Sequence, residues 1–242
     1  MVGPFYAGLG WLFLAGALCL FLAYWLKRAA LQLLARAFGV SGFTLALYAM
    51  LTLPGVILHE GAHALSALLL RVPVRGAALI PRRSPDDLSL EAFVQVSPRD
   101  PLRMALVALA PLLAGTVVLG LLTRTLGVAG QEVRPWARLA EWATSIDWHR
   151  AVLWATIYLI WTISSHMAPS RVDLCYVQNG AVVLLAILLA LGLLLTRFGA
   201  SAVERVGGAL GRLGDGLAVG AILNGIILLP LALLVRLVGR KK

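Results

Sequence analysis

The sequence predicts an all-α polytopic membrane protein with about six transmembrane helices and a small membrane-associated β-hairpin between the second and third. Three observations predict it. Of 242 residues, 60% are hydrophobic and 13% are charged, with a mean hydropathy of +0.89; that is too little charged surface to clothe a soluble domain. Apolar runs of about 20 residues, long enough to cross roughly 30 Å of hydrocarbon, recur along the chain. One connection between them alternates apolar and polar residues in the manner of strands.

Taken in order, the first run, 5–26, lacks the charged start and small-residue cleavage site of a signal peptide and is read as a transmembrane helix, with the mature chain beginning near Met1. Lys27, Arg28 and Arg36 then separate it from the second run, 43–70. The connection 71–101 follows, in which 75–81 and 88–97 read as strands around a turn of Arg82, Arg83, Ser84, Pro85, Asp86 and Asp87. The third run is 102–122. After it, 134–150 carries Trp136, Trp142 and Trp148 among charges, with Pro135 as a helix starter, the pattern of a helix lying among headgroups. The fourth and fifth runs, 151–167 and 181–195, are short and need neighbouring helices or a thin bilayer. The glycine-weakened stretch 197–212 reads as a second interfacial helix, and 217–235 is the last span. With no internal repeat and no soluble insertion, 1–242 reads as a single integral membrane domain.

The net charge of +10 comes from basic residues that flank the apolar runs. That placement points to anionic lipid headgroups and away from nucleic acid. Lys and Arg divide almost evenly between the two sides of a six-helix arrangement, so they set no orientation. Cys19 and Cys175 make no disulfide framework; Cys175 reads as a small apolar thiol, with proximity to a metal site as the alternative. The expected location is a multi-pass position in a membrane, that of a prokaryotic cell.

Chemistry concentrates in the second run. His59 and His63 stand four residues apart, on one face of a helix, so both imidazoles can reach one zinc ion while Glu60 can address a water beside it. An ionisable group near the bilayer centre costs on the order of 3 kcal/mol on insertion scales, and here three fall within five residues. Two other purposes fit such groups: hydrogen bonding between helices in a catalytically silent scaffold, or a divalent-cation transport path. A catalytic zinc site takes a third protein ligand and keeps one position open. His149, His166, Asp173 and Glu91 are the choices, and Asp173 is preferred because it follows the break at Pro169, where membrane backbone lines a cavity. A helix cap or a partner for Arg171 is the plainer role for the same carboxylate.

From these residues the chain resembles the site-2 protease family of intramembrane zinc metalloproteases. That family carries HExxH on one transmembrane helix and an aspartate ligand on a later one, after an Asn-x-x-Pro segment ending in Leu-Asp-Gly. Here HExxH is complete at His59, Glu60 and His63, whereas His166 stands where the Asn would be, the interval from Pro169 to Asp173 is one residue shorter, and Leu174 replaces the Gly. The hairpin is similar to the family's membrane-associated β element, and 108–113, Ala-Leu-Ala-Pro-Leu-Leu, to its Ala-Gly-Pro-Leu-Ala-Asn stretch. The resemblance spans about 42–180. It implies that the HExxH helix ends on the cytosolic side, with 71–103 and both termini there.

The expected activity is zinc-assisted hydrolysis of peptide bonds in a transmembrane protein or peptide. Zn2+ is held by His59, His63 and Asp173, and Glu60 moves the proton. His166 and Ser165, with Ser164, are the expected polar contacts for the developing oxyanion. A helical substrate must be unwound before its carbonyls are open to attack, and strand addition onto 90–96, with Phe93 and Val94 at the contact, is the expected means.

Overall fold

A chain in hydrocarbon must satisfy its backbone polar groups internally, and the described chain is accordingly mostly helical. The computed structural model describes residues 3–39, 41–83, 90–97, 100–126 and 149–239. Its elements are α1 (Gly3–Phe38), α2 (Gly42–Leu51), α3 (Leu53–Leu69), β1 (Val74–Arg83), β2 (Leu90–Val96), α4 (Pro101–Thr125), α5 (Ala151–His166), α6 (Arg171–Leu195), a 3-10 turn (Thr196–Phe198) and α7 (Ala200–Gly239). The tip of the expected turn, 84–89, and the expected interfacial helix up to residue 148 lie outside the described residues.

The span count differs from the sequence expectation. Among the described residues α1, α4 and α7 are each long and apolar enough to cross a membrane, and two bent helix pairs raise the count from three to five if each pair is one span. Among the described residues, six separate spans are not found. The run 43–70, expected as one helix, divides at Thr52 into α2 and α3, which meet at 83°. Pro54 in the first turn of α3 has no amide to continue the ladder of α2. The fourth and fifth runs are joined differently too: α5 bends by 67° into α6, and 181–195 simply continues the helix that begins before Asp173.

Two helices also outrun their predicted bounds. At 36 residues, α1 carries Lys27, Arg28 and Arg36 on its own last turns, and its length of about 54 Å exceeds the hydrocarbon thickness. The stretch expected as a second interfacial helix is the opening of α7. Its glycines admit close neighbours: a Cβ at Gly207 would strike the carbonyl of Pro4, and one at Gly8 would strike the carbonyl of Gly207. Gly214 sits under the Trp11 ring and Gly216 against Gly120 of α4. Small residues let membrane helices approach where lipid supplies no hydrophobic drive to associate, so these glycines make a seam between helices. Trp11 Nε1 donates across it to Asp215 Oδ1 at 2.9 Å.

The main core joins Ala15 and Cys19 of α1, Leu119 of α4, Ile160 and Ile163 of α5, and Leu217 and Ala221 of α7. A second cluster of Ala67, Val72, Met104 and Val107 lies between the end of α3 and α4. Large apolar residues such as Leu68 and Val182 are exposed, as a lipid-facing surface requires. Cys19 is buried and Cys175 exposed, both as free thiols. β1 and β2 are antiparallel, pairing Val74 with Val96, Ala77 with Val94 and Ala78 with Phe93. The register shifts between Val74 and Gly76 and again between Ala78 and Arg82, a stretch that contains Pro81.

Candidate metal centre

His59 and His63 lie one turn apart on α3, their rings 4.9 Å apart and nearly perpendicular. Each donates its Nδ1 hydrogen to a backbone carbonyl: His59 to His166 at 2.6 Å and His63 to Val107 at 2.9 Å. Such outer partners fix ring orientation and tautomer and leave the other nitrogen as a metal donor.

Both carbonyls are available because the helices that carry them are interrupted. In α4 the amide that would bond Val107 belongs to residue 111, which is proline and has none. In α5 the corresponding amide for His166 is that of Ser170, and it turns instead to Asp173 Oδ2 at 2.8 Å. Proline and a helix break have each released one acceptor beside one histidine.

Asp173 carries two roles at once. Oδ2 takes the Ser170 amide while the Asp173 amide donates back to Ser170 Oγ at 3.1 Å, a reciprocal cap on the first turn of α6. Oδ1 faces His63 Nε2 at 3.7 Å. The cap, the plainer role on sequence, takes one oxygen of the carboxylate and leaves the other facing His63. One donor atom each from His59, His63 and Asp173 lie within 4.8 Å of one another, with His63 and Asp173 buried.

Two cavities flank this group. One of about 400 Å³ is lined by His63 and Asp173 with Arg75, Tyr176 and Val94 to Val96 of β2. The other, about 460 Å³, is lined by His59, Glu60, Lys27, Tyr48, His166 and Ala92 among others. Glu60, half-buried, stays outside the donor group and opens on this second cavity.

The remaining expected residues are distributed as follows. His166 contributes its carbonyl to the centre; its ring nitrogens face Thr52 Oγ1 at 3.3 Å and the Thr162 carbonyl at 3.2 Å, and it stands beside Tyr48. His149 is not in the donor group, and the Glu91 side chain lies outside the described residues. Ser165 borders the Glu60 cavity, but its hydroxyl donates to Asn224 Oδ1 at 3.4 Å, as Ser164 does at 3.2 Å. Val94 lines the Asp173 cavity, whereas Phe93, on the opposite face of β2, lies over Gly76 and borders neither cavity.

Asn224 was not singled out on sequence. It is fully buried and anchors the last turn of α5 to α7. The signal was a side-chain amide in the middle of the apolar run 217–235, where a polar group needs a partner. Comparison with family models, with curated proteins and with solved structures finds no match.

Proposed function

We propose that this chain is a zinc-dependent intramembrane metalloprotease that hydrolyses peptide bonds of membrane-embedded substrates. The observation that carries the reading is the convergence of His59, His63 and Asp173, with both histidine tautomers set by carbonyls. A tetrahedral zinc with ligands at about 2.0–2.2 Å needs donor atoms roughly 3.4 Å apart. The His63 to Asp173 distance of 3.7 Å is close to that, and the 4.8 Å limit on the whole group is within reach of side-chain adjustment. Two imidazoles and one carboxylate, leaving a position open, make a donor set suited to zinc hydrolysis.

Zinc bound there supplies a Lewis acid that brings the pKa of water towards 7 and polarises a carbonyl. The chain's own residues supply the rest. Glu60 takes the proton of the attacking water and passes it to the amide nitrogen as the carbon–nitrogen bond breaks, so no group of the enzyme is consumed. His166 and Ser165 border the same cavity as Glu60, and to serve a developing oxyanion they would turn from the Thr162 carbonyl and Asn224 that they face here. β2 borders both cavities, through Ala92 on one side and Val94 on the other. An extended substrate lying along this strand would therefore pass the donor group.

Zinc content of the purified wild type, His63→Ala and Asp173→Ala, followed by cleavage of a membrane-anchored reporter by wild type and Glu60→Gln, tests the reading. The expected result is stoichiometric zinc in the wild type, its loss in both ligand variants, and zinc without cleavage in Glu60→Gln. A zinc-free wild type, or full cleavage by Glu60→Gln, overturns it. Zinc flux into proteoliposomes without reporter cleavage would select the transport alternative.

A further inference from the structure

The cavity beside His59 and Glu60 contains a cation that the chemistry above does not use. Lys27 lines it together with Tyr24, Tyr48, His59, Glu60 and His166. It is the first charged residue after the apolar run 5–26, where a lysine is ordinarily an anchor whose ammonium reaches for headgroups. Its neighbour Arg28 has that character: the guanidinium lies 5.6 Å from the centre of the Trp25 ring and within 3.5 Å of the Tyr24 hydroxyl. One residue further round the helix, Lys27 is at the cavity wall.

Among the described residues no carboxylate lies within ion-pair distance of Lys27. Arg75, the cation of the adjoining cavity, is by contrast already held by Ser97 Oγ at 2.7 Å. Glu60 is the one acidic residue among those lining the Lys27 cavity, and it is reserved for proton transfer. Lys27 is exposed where the recess opens, and an ammonium that faces no carboxylate among the described residues favours an anionic occupant. Pro81 of β1 and Ala92 of β2 form part of the same wall, so a side chain from a peptide lying along the hairpin can enter the recess.

We infer that this cavity is a subsite for an acidic side chain of the substrate, with Lys27 as its specificity-determining cation. The inference rests on the protease reading and adds the class of residue recognised next to the scissile bond. A partly exposed ion pair discriminates modestly, so the expected preference for Glu over Gln at the matching substrate position is roughly three- to fivefold in kcat/KM.

The test uses the full chain in lipid nanodiscs and a transmembrane reporter whose residues around the cleavage point are replaced singly by Glu, Gln or Lys. The wild type is expected to prefer Glu at one position, and Lys27→Glu to reverse that preference in favour of Lys at the same position. Arg28→Glu, a charge reversal on the neighbouring lipid anchor, is expected to leave the preference for Glu in place. A wild type that cleaves without an acidic preference, or a preference that survives Lys27→Glu, overturns this inference while leaving the protease reading intact. So does a rate that follows the anionic lipid content of the disc and ignores the substrate residue. A wild type that neither holds zinc nor cleaves overturns both.

Discussion

Replacing Pro111 by alanine should stabilise the helix around it and weaken the metal centre. Pro111 lies inside α4, and the carbonyl it leaves without a helical donor is that of Val107, which accepts from His63 Nδ1 at 2.9 Å. Proline in a helix interior costs about 3 kcal/mol relative to alanine, and the buried ring it replaces returns on the order of 1 kcal/mol as lost packing. The apo protein should therefore be no less stable than the wild type. At the centre the new amide competes for the carbonyl that orients His63. Loss of such an outer partner typically costs 10- to 100-fold in metal affinity. A carbonyl has two lone pairs, so the His63 bond is weakened and not abolished, and the expected loss is about tenfold, or roughly 1.4 kcal/mol. Zinc titration against a competing chelator at constant pH measures the affinity, and thermal unfolding of chelator-treated protein in detergent measures the fold. Wild-type zinc affinity in Pro111→Ala would refute the reasoning, as would an affinity loss accompanied by a lower apo unfolding midpoint.

The two oxygens of Asp173 can be separated in the same way. Asp173→Asn keeps an acceptor for the Ser170 amide but removes the anionic ligand, so zinc affinity should fall at least tenfold with the apo unfolding midpoint nearly unchanged; Ser170→Ala should cost about 1 kcal/mol of stability and far less zinc. Gly207→Leu drives a side chain into the Pro4 carbonyl, and a drop of 2 kcal/mol or more, roughly the cost of strong overpacking, should appear as an earlier unfolding transition of the full chain. Asn224→Ala leaves the Ser164 and Ser165 hydroxyls without their shared acceptor and should lower stability by about 1–2 kcal/mol in chemical denaturation. If β2 receives the substrate, Val94→Pro should reduce reporter cleavage at least tenfold while zinc content stays at the wild-type level; unchanged cleavage would remove strand addition from the mechanism.

What could be read directly from the residues was local. The membrane character followed from hydropathy, and the pairing of His59 with His63 followed from a four-residue spacing that any α-helix converts into one face. The break at Pro169 was also local, and it pointed to Asp173. The same kind of signal misled where continuity was judged by hydropathy alone. The run 43–70 is continuous by hydropathy, yet it turns through 83° at Thr52, and the stretch 197–212 read as a glycine-weakened interfacial helix where Gly207 packs against Pro4 at the start of α1.

By itself, then, the sequence determined that the chain carries long apolar helices compatible with a membrane, with two histidines and a glutamate close together on one of them, because helix periodicity acts within a single turn. Only the tertiary structure decided how those groups are held. The carbonyl that orients His63 comes from 44 residues away and the one that orients His59 from 107. Asp173 reaches His63 only because α6 is packed against α4, and Asn224 finds Ser164 only because α7 lies beside α5. In lipid, helices are matched by close contact between small residues and by hydrogen bonds between distant polar groups. Neither leaves a periodic mark on the sequence, so the surroundings of the His59, His63 and Asp173 group become visible only once the helices are packed.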